Sequence, residues 1–206
     1  MQQEEDEKKE KKRRKSPKRL KRVLGKTRKR KMPKKGEKGN KSPKKKAYHK
    51  PKDIKMPIII VDSREKTPHK FKTTDICEGY RIEKLDTGDY SLAGLEEYVI
   101  IERKNSIDEL VTCFGTDRKR FMDELDRLEE VPNRYIVVED SIETVFGRKR
   151  FSRMNPKCFL SNVFSVIVKR GIPIFFCTTR KETHVTIKWI LYKAYEKYLE
   201  ESSQWT

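Results

Sequence analysis

Asp89, Glu102 and Lys104 place two carboxylates and an ammonium on one short segment, Gly-Asp-Tyr-Ser-Leu-Ala-Gly-Leu-Glu-Glu-Tyr-Val-Ile-Ile-Glu-Arg-Lys-Asn-Ser-Ile-Asp over residues 88–108. Asp89 follows a glycine where the pattern reads as a hairpin. The apolar run Tyr98-Val99-Ile100-Ile101 then reads as a buried strand, and Glu102-Arg103-Lys104 stand consecutively at its end. Side chains alternate across a strand, so Glu102 and Lys104 share one face and Arg103 takes the other. Charges at the end of a buried strand cost desolvation energy that packing alone gives no reason to incur. The chemistry these residue types support is metal-dependent phosphodiester hydrolysis, with Asp89 and Glu102 holding Mg²⁺ and Lys104 beside the reacting phosphate.

The elements that must hold this segment in place can be read along the chain. After Met56-Pro57, Ile58-Ile59-Ile60-Val61 is a short continuous apolar run, the mark of a central strand covered on both faces. It ends in Asp62-Ser63-Arg64-Glu65, and Thr67-Pro68 breaks the chain into a loop. Strand ends are where open α/β sheets build sites; a loop-capping role accounts for Asp62 equally well. Residues 80–83 read as a strand, and Asp86-Thr87-Gly88-Asp89 as a turn. A helix begins at Ser106 with Asn105 or Ser106 as N-cap, and Asp108 and Glu109 suit its first turn.

A second, amphipathic helix over 117–130 buries Phe121, Leu125 and Leu128. Arg118, Lys119 and Arg120 crowd its start, where the helix dipole disfavours cations; they face either phosphate or solvent. A strand over 135–138 and a short helix over 141–146 lead to a basic loop containing Arg148, Lys149 and Arg150. A helix from Asn155-Pro156 to Lys169 stops at Gly171, a strand follows at 173–177, and Thr179 or Thr183 opens the last helix. Its stripe of Trp189, Tyr192, Tyr195, Tyr198 and Leu199 serves the core and points to a homodimer or heterodimer contact through the C-terminal helix. This order of elements predicts an α/β fold, a mixed sheet flanked by helices. There is no internal repeat and no glycine-rich phosphate loop, so nucleotide hydrolysis is not indicated.

The charge is divided sharply. The net +19 resides in residues 1–55, which hold 26 Lys and Arg against 7 Asp and Glu; residues 56–206 hold 25 of each. This predicts a disordered Lys/Arg-rich arm over 1–55 and a globular domain over 56–206. Blocks such as Lys11-Lys12-Arg13-Arg14-Lys15, with Ser-Pro-Lys steps at Ser16 and Ser42, suit nucleic-acid contact through counterion release, or a nuclear-import or solubility role. The four cysteines have no CxxC spacing and no histidine partner, which argues against zinc and for reduced thiols. No apolar run reaches membrane-spanning length and the start lacks a secretion signal, so an intracellular protein is expected, nuclear in a eukaryote and in the cytoplasm or nucleoid otherwise.

Taken together, Val61-Asp62-Ser63-Arg64-Glu65, then Gly88-Asp89, then Glu102-Arg103-Lys104 with Asp108 four residues beyond Lys104, resemble the XPF-type structure-specific endonuclease domain, from Met56 to about Glu200. The resemblance implies a restriction-endonuclease-like α/β fold that hydrolyses DNA, including branched or flap DNA, with Mg²⁺ or Mn²⁺. It makes Asp62, Asp89 and Glu102 the metal carboxylates and Lys104 the residue that orients or deprotonates the attacking water. It also makes Arg103 and Arg64 phosphate anchors or carboxylate supports, with Asp108 one shell further out. Neither the paired helix-hairpin-helix motifs nor the helicase domain of longer members occurs in the 206 residues, so a compact stand-alone form is expected. Two other classes compete with an active enzyme: a catalytically silent DNA-binding partner subunit, and an architectural protein in which the arm does the work.

Overall fold

In the computed structural model the described residues are 55–147 and 154–203. The basic arm up to residue 54 and the Arg148-Lys149-Arg150 patch lie outside them. Six strands form one mixed sheet in the order β2-β1-β3-β4-β5-β6: β1 (Ile58–Asp62), β2 (Gly79–Glu83), β3 (Tyr90–Leu92), β4 (Val99–Lys104), β5 (Asn133–Val138) and β6 (Ile174–Phe176). β3 runs antiparallel to both β1 and β4, while β1–β2, β4–β5 and β5–β6 are parallel. The helices are α1 (Ile107–Phe114), α2 (Arg118–Glu129), α3 (Thr144–Gly147), α4 (Pro156–Arg170) and α5 (Arg180–Ser203).

The inner strands are apolar on both faces because both faces are covered. Ile60, Ile100, Ile136 and Val138 pack beneath α1, α2 and α4, through Leu110, Phe121, Leu125 and Phe159. Ile59, Val61, Ile101 and Val137 face the other way, onto Ile187, Leu191 and Ala194 of α5 and onto Phe71 of the 63–78 connection. β4 is buried along its whole length, and its alternation carries over to the charged residues at its end.

The hairpin expected at Gly88-Asp89 is not one. β1 inserts between β2 and β3, so residues 84–89 cross over a strand, and the hairpin lies instead between β3 and β4. Gly88 is still needed. Its φ is +72°, and a Cβ there would come within 2.5 Å of the Ile100 side chain and 3.1 Å of the Ile101 carbonyl. Helix boundaries follow their caps: Ser106 Oγ accepts from Glu109 N at the start of α1, Asn155 Oδ1 from Lys157 N at α4, and Thr179 Oγ1 from Glu182 N at α5. Gly171 closes α4 with φ +61°.

Candidate active site

The end of β4 emerges into a cleft of about 540 Å³ whose lining includes Asp62, Asp89, Glu102, Lys104, Glu124 and Arg127. Asp89 stands one residue before β3. Its backbone N–H donates to the Ile101 carbonyl at 2.9 Å, and its carboxylate accepts from the Arg103 N–H at 2.7 Å. Those two bonds seat the carboxylate against β4 beside Glu102.

Glu102 and Lys104 point to the α2 face, as strand alternation requires. Lys104 Nζ lies 2.6 Å from Glu102 Oε1, 3.0 Å from Glu124 Oε1 of α2, and 5.3 Å above the Phe121 ring. Glu124 has no counterpart among the residues singled out from sequence, although a signal existed. It sits beside the apolar stripe of Phe121, Leu125 and Leu128, a place where a carboxylate is costly unless partnered.

The electrostatics of this face are unbalanced. Burial pushes the Asp89 carboxyl up to about 7, with repulsion from Glu65 and Glu124 adding to it. Burial, then Asp89, raises Glu102 well above the carboxylate range. Burial opposes the Lys104 charge, yet Glu102 and Glu124 outweigh it and raise its pKa. Lys104 is therefore held as an ammonium. Three carboxylates face one ammonium, which leaves a surplus that a divalent cation would neutralise, and hard oxygen donors suit Mg²⁺ or Mn²⁺. Among the described residues no three His, Cys, Asp or Glu side chains are arranged to hold a metal as they stand; Lys104 lies between Glu102 and Glu124 instead.

The other expected residues divide. Asp62 lines the cleft, but its oxygens accept from Arg64 Nε at 2.8 Å and from the Leu85 N–H at 3.0 Å. Arg64 also donates to the Leu85 carbonyl and keeps its side chain largely exposed at the rim. Arg120 lines the cleft and is mostly exposed; Arg118 instead donates to the Phe114 carbonyl and Asn162. Asp108 is an exposed residue of the first turn of α1.

Arg103 also belongs to the cleft wall, but its side chain takes the strand face opposite Lys104. Its side chain is wholly buried on the α5 face, bonded to Glu139 (2.9 Å), Glu65 (3.2 Å), Asn105 (2.6 Å) and both oxygens of Thr67. It clamps the 63–70 loop to the ends of β4 and β5, and only its Nε lacks a partner.

This architecture and motif have relatives. The ERCC4 domain model matches residues 61–189. The chain belongs to the ERCC4 domain family. Over 130 residues this ERCC4 domain is 31% identical to a Methanocaldococcus jannaschii protein named a putative ATP-dependent RNA helicase; the match covers 63% of this chain and 15% of that protein. Two solved structures share the fold. XPF from Aeropyrum pernix matches at 23% identity and TM-score 0.50, over 66% of this chain and 60% of that one. XPF from the same organism in complex with DNA matches at 22% and 0.52, over 68% and 66%. Among the described residues no helix is long and apolar enough to cross a membrane.

Proposed function

We propose that this ERCC4 domain is a divalent-metal-dependent DNA endonuclease, acting on branched or flap DNA among its substrates. The observation that carries this reading is the buried excess of Asp89, Glu102 and Glu124 over Lys104 at the floor of a cleft rimmed by Arg64, Arg120 and Arg127. Asp89 and Glu102 would hold Mg²⁺ or Mn²⁺, with Asp62 joining them if Arg64 releases it. When bound there, the cation would supply Lewis-acid polarisation of the phosphate and water of lowered pKa.

The chain's own residues do the rest. Lys104 stays charged and stabilises negative charge accumulating on the phosphoryl oxygens as water adds and the P–O bond breaks. Arg64, Arg120 and Arg127 neutralise flanking phosphates, and Arg103 holds the 63–70 loop that carries Arg64. The Lys/Arg blocks of residues 1–55 add sequence-independent affinity.

The exposed apolar residues Phe164 and Val168 of α4, Phe175 of β6, and Val185 and Trp189 of α5 lie on three consecutive elements at the sheet's β6 edge. A second subunit, identical or related, docks there in this reading; light scattering of the purified protein checks it. The test of the activity itself is incubation of labelled duplex, flap and single-stranded DNA with the protein in Mg²⁺ or EDTA. Internal cuts in Mg²⁺ alone are expected. Binding without cutting in any divalent metal would leave the silent-subunit alternative standing.

A further inference from the structure

On the α5 side of the sheet a second concavity, of about 420 Å³, opens between the 63–78 connection and the start of α5. It is lined by Pro68, His69, Lys70, Arg180, Lys181 and His184, and no carboxylate is among them. Arg180 is fixed in place: its Nη2 donates to the Thr67 and Pro68 carbonyls, both at 3.0 Å, while its side chain stays half exposed. His184 stacks on Phe71 at 4.6 Å between ring centroids. Lys70 and Lys181 are exposed, and among the described residues neither is ion-paired.

Both imidazoles register the positive field. Burial, then Arg180 and Arg103, push His69 down to about 4, and burial, then Lys188 and Arg180, lower His184. Glu139, the carboxylate that pairs Arg180 at 3.6 Å, already bonds His69 and Arg103, and Glu182 of the same helix turn accepts from the Thr179 N–H. One acidic group shared three ways leaves the pocket cationic.

We infer that this pocket binds a phosphate group of the nucleic-acid strand whose scissile phosphate occupies the cleft, an inference that rests on reading the cleft as a nuclease site. The two sites flank one loop. Lys66 lines the cleft and Lys70 the pocket, and the Thr67 carbonyl between them accepts from both Arg103 Nη2 at 3.2 Å and Arg180 Nη2 at 3.0 Å. Four residues of chain span at most about 14 Å, roughly four steps of rise at about 3.4 Å per nucleotide. A strand leaving the cleft past Lys66 therefore needs only a few nucleotides to bring a phosphate to the pocket, and its capture there fixes how the substrate enters the cleft.

The test uses the full chain and the double variant Lys70→Glu/Lys181→Glu, with Lys157→Glu/Lys169→Glu as a control of equal charge on α4. Affinity for labelled duplexes with and without a 5′-phosphate is measured in EDTA between 50 and 200 mM salt, a range over which phosphate contacts dominate binding. The expected result is a loss on the order of 10-fold or more relative to the control. The slope of log affinity against log salt should be shallower by about 0.9 for each phosphate contact removed. Loss on both duplexes assigns an internal phosphate, and loss only with the 5′-phosphate assigns a terminal one. Affinity and slope equal to the control's would overturn the site and leave a solvated basic surface. Because binding is read without metal, a wild type that bound DNA but never cut it would defeat the nuclease reading and leave this result unaffected.

Discussion

Arg103 and Lys104 are neighbours on one strand, both buried and both ion-paired, and they sit in opposite electrostatic situations. On the α5 face, Arg103 has five acceptor contacts spread over three segments, and the two carboxylates among them, Glu65 and Glu139, are matched by two guanidinium groups, Arg103 itself and Arg180, 3.6 Å from Glu139. On the α2 face, Lys104 is outnumbered by the carboxylates around it. The first network closes on itself and holds loops together; the second is left with the surplus on which the proposed cation site rests. Burial and charge alone do not separate these cases, because both residues are almost completely buried. The balance of partners does.

The strongest way to break this contrast is at the surplus itself. Asp89→Asn or Glu102→Gln removes a carboxylate charge with little change of shape, so DNA cutting should disappear while DNA binding and folding persist. Undiminished cutting by either variant would remove the assignment. Arg103→Met should show the reverse pattern. Leaving Glu65 and Glu139 without their buried partner should cost about 3–5 kcal/mol of stability, read as a lower denaturant midpoint, whereas a stability unchanged from the parent would show that the clamp is dispensable.

Lys104→Ala sharpens the contrast further. The chemical step should slow by a factor on the order of 10² with little change in DNA affinity. Mn²⁺ should bind the same variant more tightly than the parent, since the competing ammonium has gone. A weaker Mn²⁺ isotherm would mean that Lys104 organises the carboxylates rather than competing for them.

Much of this arrangement is legible in the sequence. The apolar run ending in Glu102-Arg103-Lys104 dictated opposite faces for Arg103 and Lys104, and the structure has them so. Gly88 was legible as special but not its reason, because nothing local reveals that β1 inserts between β2 and β3 and converts an expected hairpin into a crossover. Glu124 and Glu139 were missed for a related cause. Each reaches its partner across more than a dozen residues of chain, and helix or strand periodicity reports a face without reporting what that face meets. Sequence position alone groups Arg118 with Arg120, yet the turn of α2 sends one to the Phe114 carbonyl and the other to the cleft.

The smallest expected effect is on pH dependence. Because burial holds Asp89 up to about 7, the folded state keeps a proton that the unfolded chain releases from about pH 4 upward. Metal-free stability is therefore lost as pH rises through that window. His69, held down to about 4, acts in the opposite sense up to about pH 6.5, where the unfolded imidazole takes up the proton. Asp89→Asn removes the first contribution and keeps the second, so in EDTA its melting temperature should gain on the parent's from pH 5 to about pH 7 and level off above that. A difference that stays constant over that range would show that Asp89 does not carry the strain.

The central claim, that the α2-side surplus is a divalent-cation site, is tested most directly by titrating Mn²⁺ into the full chain and into its Glu102→Gln variant, with binding followed calorimetrically. The account predicts saturable binding by the parent that weakens at least about tenfold in the variant. Identical isotherms for the two proteins would contradict it.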